Sequence, residues 1–265
     1  MKLRIQHTTK YHYDAPVSYG LQQVRLIPAN SKHQTVRSWA VDIKGGSTEL
    51  EFEDQYQNKT LLVKADPETT ELSVDVVGEV ETHCSDGVFG RVYGTAPLWH
   101  FRQSTPRTQA GRGVRKLAKT LQKAPDILDG LHALSSAIID AAPYSMTETE
   151  AHTTAEEALS AGGGVCQDHA QIFVSAARVA GIPARYISGY LMMNDRVDQD
   201  ASHAWAEAHL DGLGWVGFDV SNRICPDERY VRIATGLDSH DASPMSGIRL
   251  GSARESMIVS LQVQQ

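Results

Sequence analysis

The chain has 265 residues, 41% of them hydrophobic and 22% charged, which is enough apolar matter for a packed core in one large or two ordinary domains. Its formal net charge of -7 argues against nucleic acid or an anionic membrane as the main partner, and no apolar run reaches the length of a bilayer span. Three cysteines, Cys84, Cys166 and Cys225, are too few and too scattered for a disulfide framework, and without a C-x-x-C pair they give no support to a structural zinc site.

The N-terminus, MKLRIQHTTKYHYDAP, alternates polar and apolar residues and has no signal-peptide core, so a cytoplasmic location is expected. LRIQHTTKYHY, SYGLQQVRLIP, RSWAVDIKG, ELEFEDQYQNKTLLVKAD and ELSVDVVGEVETH follow as β-branched or alternating runs with Pro, Gly and Asn punctuation. The fourth reads as a hairpin folded at Gln57, Asn58 and Lys59. Short strands at this spacing, without helices between them, predict a sandwich over residues 1–103. Its histidines His7, His12, His33 and His83 are dispersed and read as surface or packing residues.

From residue 104 the pattern turns helical. QAGRGVRKLAKTLQKA and ILDGLHALSSAIIDAA carry helical periodicity, with Pro106, Pro125 and Pro143 as punctuation. In HTTAEEALSAGGG, Thr153 or Thr154 with Glu156 or Glu157 three residues later forms a capping box, and Gly162 ends the short helix. Cys166 then opens another helix, whose apolar positions Ala170, Phe173, Ala176, Ala177 and Ala180 recur at threes and fours before Gly181 and Pro183 stop it. A helix mouth favours an anion, so this position favours the thiolate, and glycines in front of it let another chain come close. Strands return in ARYISGYLMM, SHAWAEAHL, GWVGFDV and ESMIVSLQV, making residues 104–265 α+β.

A thiolate nucleophile needs a base and a group to orient that base. His203 and Asp219 stand on consecutive strands joined through DGLG. A two-residue turn at Asp211-Gly212 would put the two side chains on opposite faces of the hairpin, whereas a loop with an odd number of residues, or a bulge, puts them on the same face. A His–Asp pair therefore carries a structural condition.

GGGVCQDHAQIFVSAARVAGIPARYISGYL, followed by ASHAWAEAHLDGLGWVGFDVSN, closely resembles the transglutaminase-like superfamily, and more narrowly its bacterial members regarded as candidate cysteine proteases. The resemblance spans about residues 144 to 222, and the β-rich start is similar to the N-terminal domain that accompanies this family; a papain-type C-G-x-C-W signature is absent. The resemblance implies an N-terminal β-sandwich-like domain followed by a papain-like α+β core, with Cys166 as nucleophile, His203 as base and acid, and Asp219 orienting the imidazole. It implies an oxyanion site at the Cys166 backbone N–H, with Tyr144 as a second candidate donor. Trp205, on the strand face of His203, is a candidate wall or supporting residue. Asp168 is expected to support the helix N-terminus and Asn222 to shape the turn after Asp219.

No cofactor or metal is expected. The loop carrying Asp195, Asp198 and Asp200 lacks the glycine and terminal glutamate of a calcium-binding EF-hand and reads as a solvated acidic loop. The reaction implied is thiol-dependent hydrolysis of an amide bond in a peptide or peptide-like substrate through a thioester. The alternatives are transfer of a glutamine-derived acyl group to an amine, and a non-catalytic binding protein on the same fold. The β-rich domain either recruits a partner or substrate or buttresses the core, and LDSHDASPMSG is a candidate cover for the cleft.

Overall fold

The structure is a computed structural model that describes residues 1–90, 95–147, 149–199 and 201–265. Six strands come first: β1 (Lys2–Val17), β2 (Tyr19–Ile27), β3 (Gln34–Lys44), β4 (Gly46–Glu53), β5 (Lys59–Ala65) and β6 (Thr69–Thr82). Alternation fixes which face they bury: on β1, Leu3, Ile5, His7, Thr9, Tyr11 and Tyr13 all point inward. The hairpin between β4 and β5 turns slightly earlier than its sequence suggests. Lys59 already pairs with Glu53, and the turn is built on Asp54, whose carboxylate accepts the N–H groups of Tyr56 and Asn58, with Gln57 in the left-handed region at φ 63°.

After β7 (Val88–Gly90) come α1 (Arg112–Ala118), α2 (Ile127–Ala141), α3 (Ala155–Ala161) and α4 (Cys166–Val179). The chain then forms β8 (Ala184–Leu191), β9 (Asp198–Gln199), β10 (His203–Leu210), β11 (Gly214–Phe218), β12 (Tyr230–Gly236), β13 (Met245–Leu250) and β14 (Glu255–Gln264). Two sheets, in the orders β3-β6-β1-β14-β9 and β13-β2-β5-β4, form the sandwich, with Val24, Leu26, Val63, Leu72 and Val74 buried between them. Strands cross the boundary expected at residues 103 and 104 in both directions. β14 pairs with β1 from Arg4↔Gln264 to Tyr13↔Glu255, whereas β7 leaves the sandwich to pair with β11. His7 is a buried link between the two halves: its ring bonds the Tyr190 hydroxyl at 2.7 Å and Thr9 Oγ1 at 2.8 Å, and burial pushes its pKa down to about 4.

The second half is one antiparallel sheet, β12-β8-β10-β11-β7, with α4 packed across it and α1 to α3 around α4. Ala204, Ala206 and Ala208 alternate along the buried β10, small enough for α4 to lie close to the strand, and share a core with Ala170, Phe173 and Ala177 of the helix. The expected one-sided stripe understates how deep α4 lies. His169, Gln171, Ser175 and Arg178 are buried too, and each is hydrogen-bonded; Ala180, assigned to the stripe, is exposed just past the helix end. Thr154 and Glu157 form the capping box of α3, and Gly162 ends that helix at φ 77°. No helix among the described residues is long and apolar enough to cross a membrane.

Arg185, Glu207 and Arg232 come from neighbouring strands β8, β10 and β12. Arg185 Nε donates to Glu207 Oε2 at 2.8 Å, Arg232 donates to Glu207 Oε1, and the Arg185 guanidinium stacks 4.0 Å from the Trp215 ring centre. Arg185 and Glu207 are both fully buried.

Candidate active site

The hairpin carrying the histidine and the aspartate closes through three residues, Asp211, Gly212 and Leu213, because Leu210 pairs with Gly214 and Ala206 with Phe218. Gly212 and Gly214 supply φ values of 87° and 81° there. The loop is odd, so residues 203 and 219 fall on the same face as diagonal neighbours, and the condition set by the sequence is met. His203 Nε2 lies 2.6 Å from Asp219 Oδ2, and both side chains are buried.

Asp219 is held by more than the histidine. Its Oδ2 also accepts from the Tyr230 hydroxyl at 2.6 Å and Asn222 Nδ2 at 2.7 Å, and its Oδ1 from the Asn222 backbone N–H at 3.2 Å. Burial works against this carboxylate's charge, yet His203, Tyr230 and Asn222 outweigh it and hold the carboxyl below the usual range. On His203 burial again opposes the charge. The Cys166 sulfur and Asp219, through charge and hydrogen bonding, reverse that and push the imidazole up to about 10. With Nε2 engaged by Asp219, Nδ1 is the ring nitrogen left to exchange a proton with the sulfur.

Cys166 is the first residue of α4 and half-buried. Asp168 secures this end of the helix: its Oδ2 accepts the Val165 N–H at 2.9 Å and the Thr149 hydroxyl at 2.6 Å. A Cβ on Gly164 would come within 2.8 Å of the Asp168 Cβ. Two of the three glycines before Cys166 therefore serve the chain itself, one capping α3 and one admitting Asp168.

Cys166, His203 and Tyr144 line one cleft of about 420 Å³. Tyr144 bridges to Gly164 beside α4, and its hydroxyl pKa is raised by burial and then by the charge of Cys166. Trp205 is not a wall of that cleft. It shares the strand face of His203 but stands behind it, buried, with ring centres 6.4 Å apart and planes at 28°. Ser239, Ala242, Ser243 and Pro244 from LDSHDASPMSG form a fixed wall of the cleft. Ser239 Oγ donates to Gln171 Oε1 at 2.9 Å and Ser188 Oγ to the Ala242 carbonyl at 2.7 Å. In the acidic loop Asp195 pairs with Arg196 and Asp198 accepts from Gln262, while Asp200 lies outside the described residues. Among the described residues no three His, Cys, Asp or Glu side chains are grouped to hold a metal ion.

Tyr230 escaped the sequence reading, because it lies in β12, beyond the segment whose motifs point to chemistry. The alternation in YVRIATG was the available signal for that strand, though not for the hydroxyl's target. Tyr230→Phe removes one of three donors on Asp219 Oδ2. The expected result is a fold stable enough to purify and a roughly tenfold slower reaction at Cys166, measured as the acylation rate at neutral pH.

Residues 115–220 match the family model described as the transglutaminase-like superfamily, and residues 3–81 match the bacterial transglutaminase-like N-terminal region. An uncharacterised protein of Mycobacterium leprae is 26% identical over 99% of this chain and 98% of its own length. Another, of Mycobacterium tuberculosis, is 34% identical over 54% of this chain and 49% of its own. Among solved structures, a candidate cysteine protease from Cytophaga hutchinsonii superposes with a TM-score of 0.79 at 23% identity, covering 100% of this chain and 91% of that one, a likeness of fold. The chain belongs to the transglutaminase-like superfamily, in the bacterial form that joins this N-terminal region to the core.

Proposed function

We propose that the protein is a thiol-dependent hydrolase that cleaves an amide bond in a peptide or peptide-like substrate, with Cys166, His203 and Asp219 as its triad. The observation that carries this reading is the 2.6 Å His203–Asp219 bond, buried in the same cleft wall that holds Cys166 at a helix mouth. The Cys166 sulfur attacks the substrate carbonyl carbon, and the Cys166 backbone N–H, one of the first-turn groups without an intrahelical acceptor, faces the developing oxyanion. His203 donates its Nδ1 proton to the departing amine, leaving a thioester. It then takes a proton from water, which attacks the thioester and frees the acid. Asp219 keeps Nε2 engaged throughout, so the ring stays oriented and its positive form is stabilised. Tyr144 stands where a second oxyanion donor is useful, beside Cys166 on the cleft wall.

An acyltransferase shares every step up to the thioester and differs in the acceptor. Incubation with an activated ester such as p-nitrophenyl acetate, with and without methylamine, separates the possibilities. The expected result is an acetyl adduct on the Cys166 peptide, absent in Cys166→Ser, that decays to acetate even when amine is present. Predominant N-methylacetamide would make the protein an acyltransferase, and no adduct at Cys166 would make it a non-catalytic member of the fold.

A further inference from the structure

Behind the triad, between the sandwich and the core sheet, lies a separate chamber of about 100 Å³ lined by Trp205, Tyr230, Arg232, His33, His83 and Asp227, among others. Its inner wall is the aromatic pair that backs the candidate active site. Trp205 stands against His203, and Tyr230, whose hydroxyl bonds Asp219, meets the Trp205 ring edge-on at 5.5 Å between centres. Trp205 is 1% exposed, and its Nε1–H has no hydrogen-bond partner among the described residues. A buried donor left unpaired is unfavourable, so an acceptor within its reach in the chamber would be held there.

The wall favours an anionic acceptor through Arg232, which behind the wall shares Glu207 with Arg185, so that two guanidiniums face one carboxylate. His33 and His83 add ring nitrogens to the wall, and burial, with Arg232 close by, holds His33 below its usual range. Among the described residues the wall carries one carboxylate, Asp227, which the Arg229 guanidinium already bonds at 2.6 to 3.0 Å. The space holds several waters or one small solute.

We infer that this chamber is an effector site for a small oxyanion, of acetate or inorganic phosphate size, which accepts the Trp205 Nε1–H and through Trp205 and Tyr230 alters the reactivity of Cys166. Binding is independent of the hydrolase reading; the effect on Cys166 rests on it. The test is an indole ¹⁵N–¹H spectrum of the full chain titrated with sodium phosphate or sodium acetate, against sodium chloride at matched ionic strength. Trp205→Phe assigns the resonance. The expected result is a saturable shift of the Trp205 indole with at least one oxyanion and none with chloride, weakened in His33→Ala, where the indole is intact. Alkylation of Cys166 by iodoacetamide then changes by about fivefold or more at saturation. A response to which phosphate and acetate contribute no more than chloride, or an indole that meets only exchanging water, overturns the site. Saturable binding with unchanged alkylation overturns the effector role and leaves the triad reading untouched.

Discussion

Asp219→Asn is expected to slow acylation of Cys166 by about 10³- to 10⁴-fold, the loss seen when the same change is made in a serine-protease triad. The amide keeps the shape of the carboxylate but loses its charge, and it brings an N–H₂ group into a pocket built of donors. His203 Nε2, the Tyr230 hydroxyl and Asn222 Nδ2 all converge on Oδ2 within 2.7 Å. One amide oxygen can satisfy some of them, and whichever orientation it takes, an N–H then faces another donor. The imidazolium also loses the carboxylate that helps hold its pKa up to about 10. The measurement is the single-turnover acylation rate with an activated ester, alongside a circular dichroism spectrum to show that the fold persists. A rate within tenfold of wild type would mean that Asp219 has only a structural place beside His203.

The second large effect is on stability and lies away from the cleft. Glu207→Ala is expected to cost about 3–5 kcal/mol, because it removes the carboxylate shared by Arg185 and Arg232 while Arg185 stays fully buried. For a chain of this size that lowers the melting temperature by roughly 10 °C. Glu207→Gln is expected to fall between the two, since it keeps an acceptor but not the charge. Differential scanning calorimetry measures both variants; a shift of 2 °C or less in the alanine variant would mean that the network is replaceable by solvent.

The site was legible because its signals are local. Cys166 follows three glycines and opens a helix, and DGLG between two apolar runs marks the hairpin that joins His203 to Asp219. What stayed hidden depends on pairings between distant segments. Nothing near ESMIVSLQV says that it finishes the sandwich by pairing with β1, because a strand's partner is set by the whole sheet. Tyr230 belongs to β12, which β8 separates from the hairpin that leads to Asp219, and Gly189, paired with His203, leaves room for the Trp205 ring. Gly162 ends α3 as its sequence suggests, whereas Gly164, read as room for another chain beside the sulfur, admits Asp168 of this chain. Likewise the spacing in α4 marks an apolar stripe but gives no sign that loops and neighbouring helices also cover its polar residues and bond them.

The proposed pairing of Cys166 with His203 also sets a pH dependence. The imidazole's pKa rises on folding from about 6.5 to about 10, so its contribution to stability is complete below pH 6.5 and is lost as the pH rises through 10. Between those limits His203 keeps its proton and the sulfur faces a cation. The most direct measurement is the rate of Cys166 alkylation by brief iodoacetamide treatment from pH 5 to 9, read by mass spectrometry in wild type and His203→Ala. An ordinary thiol, with a pKa of about 8.5, is less than about 1% thiolate at pH 6. A wild-type rate that is nearly level from pH 6 to 9, and about a hundredfold lower at pH 6 in His203→Ala, is the result expected of an assembled thiolate–imidazolium pair. A wild-type rate that climbs tenfold per pH unit, and is unchanged in the variant, would contradict it.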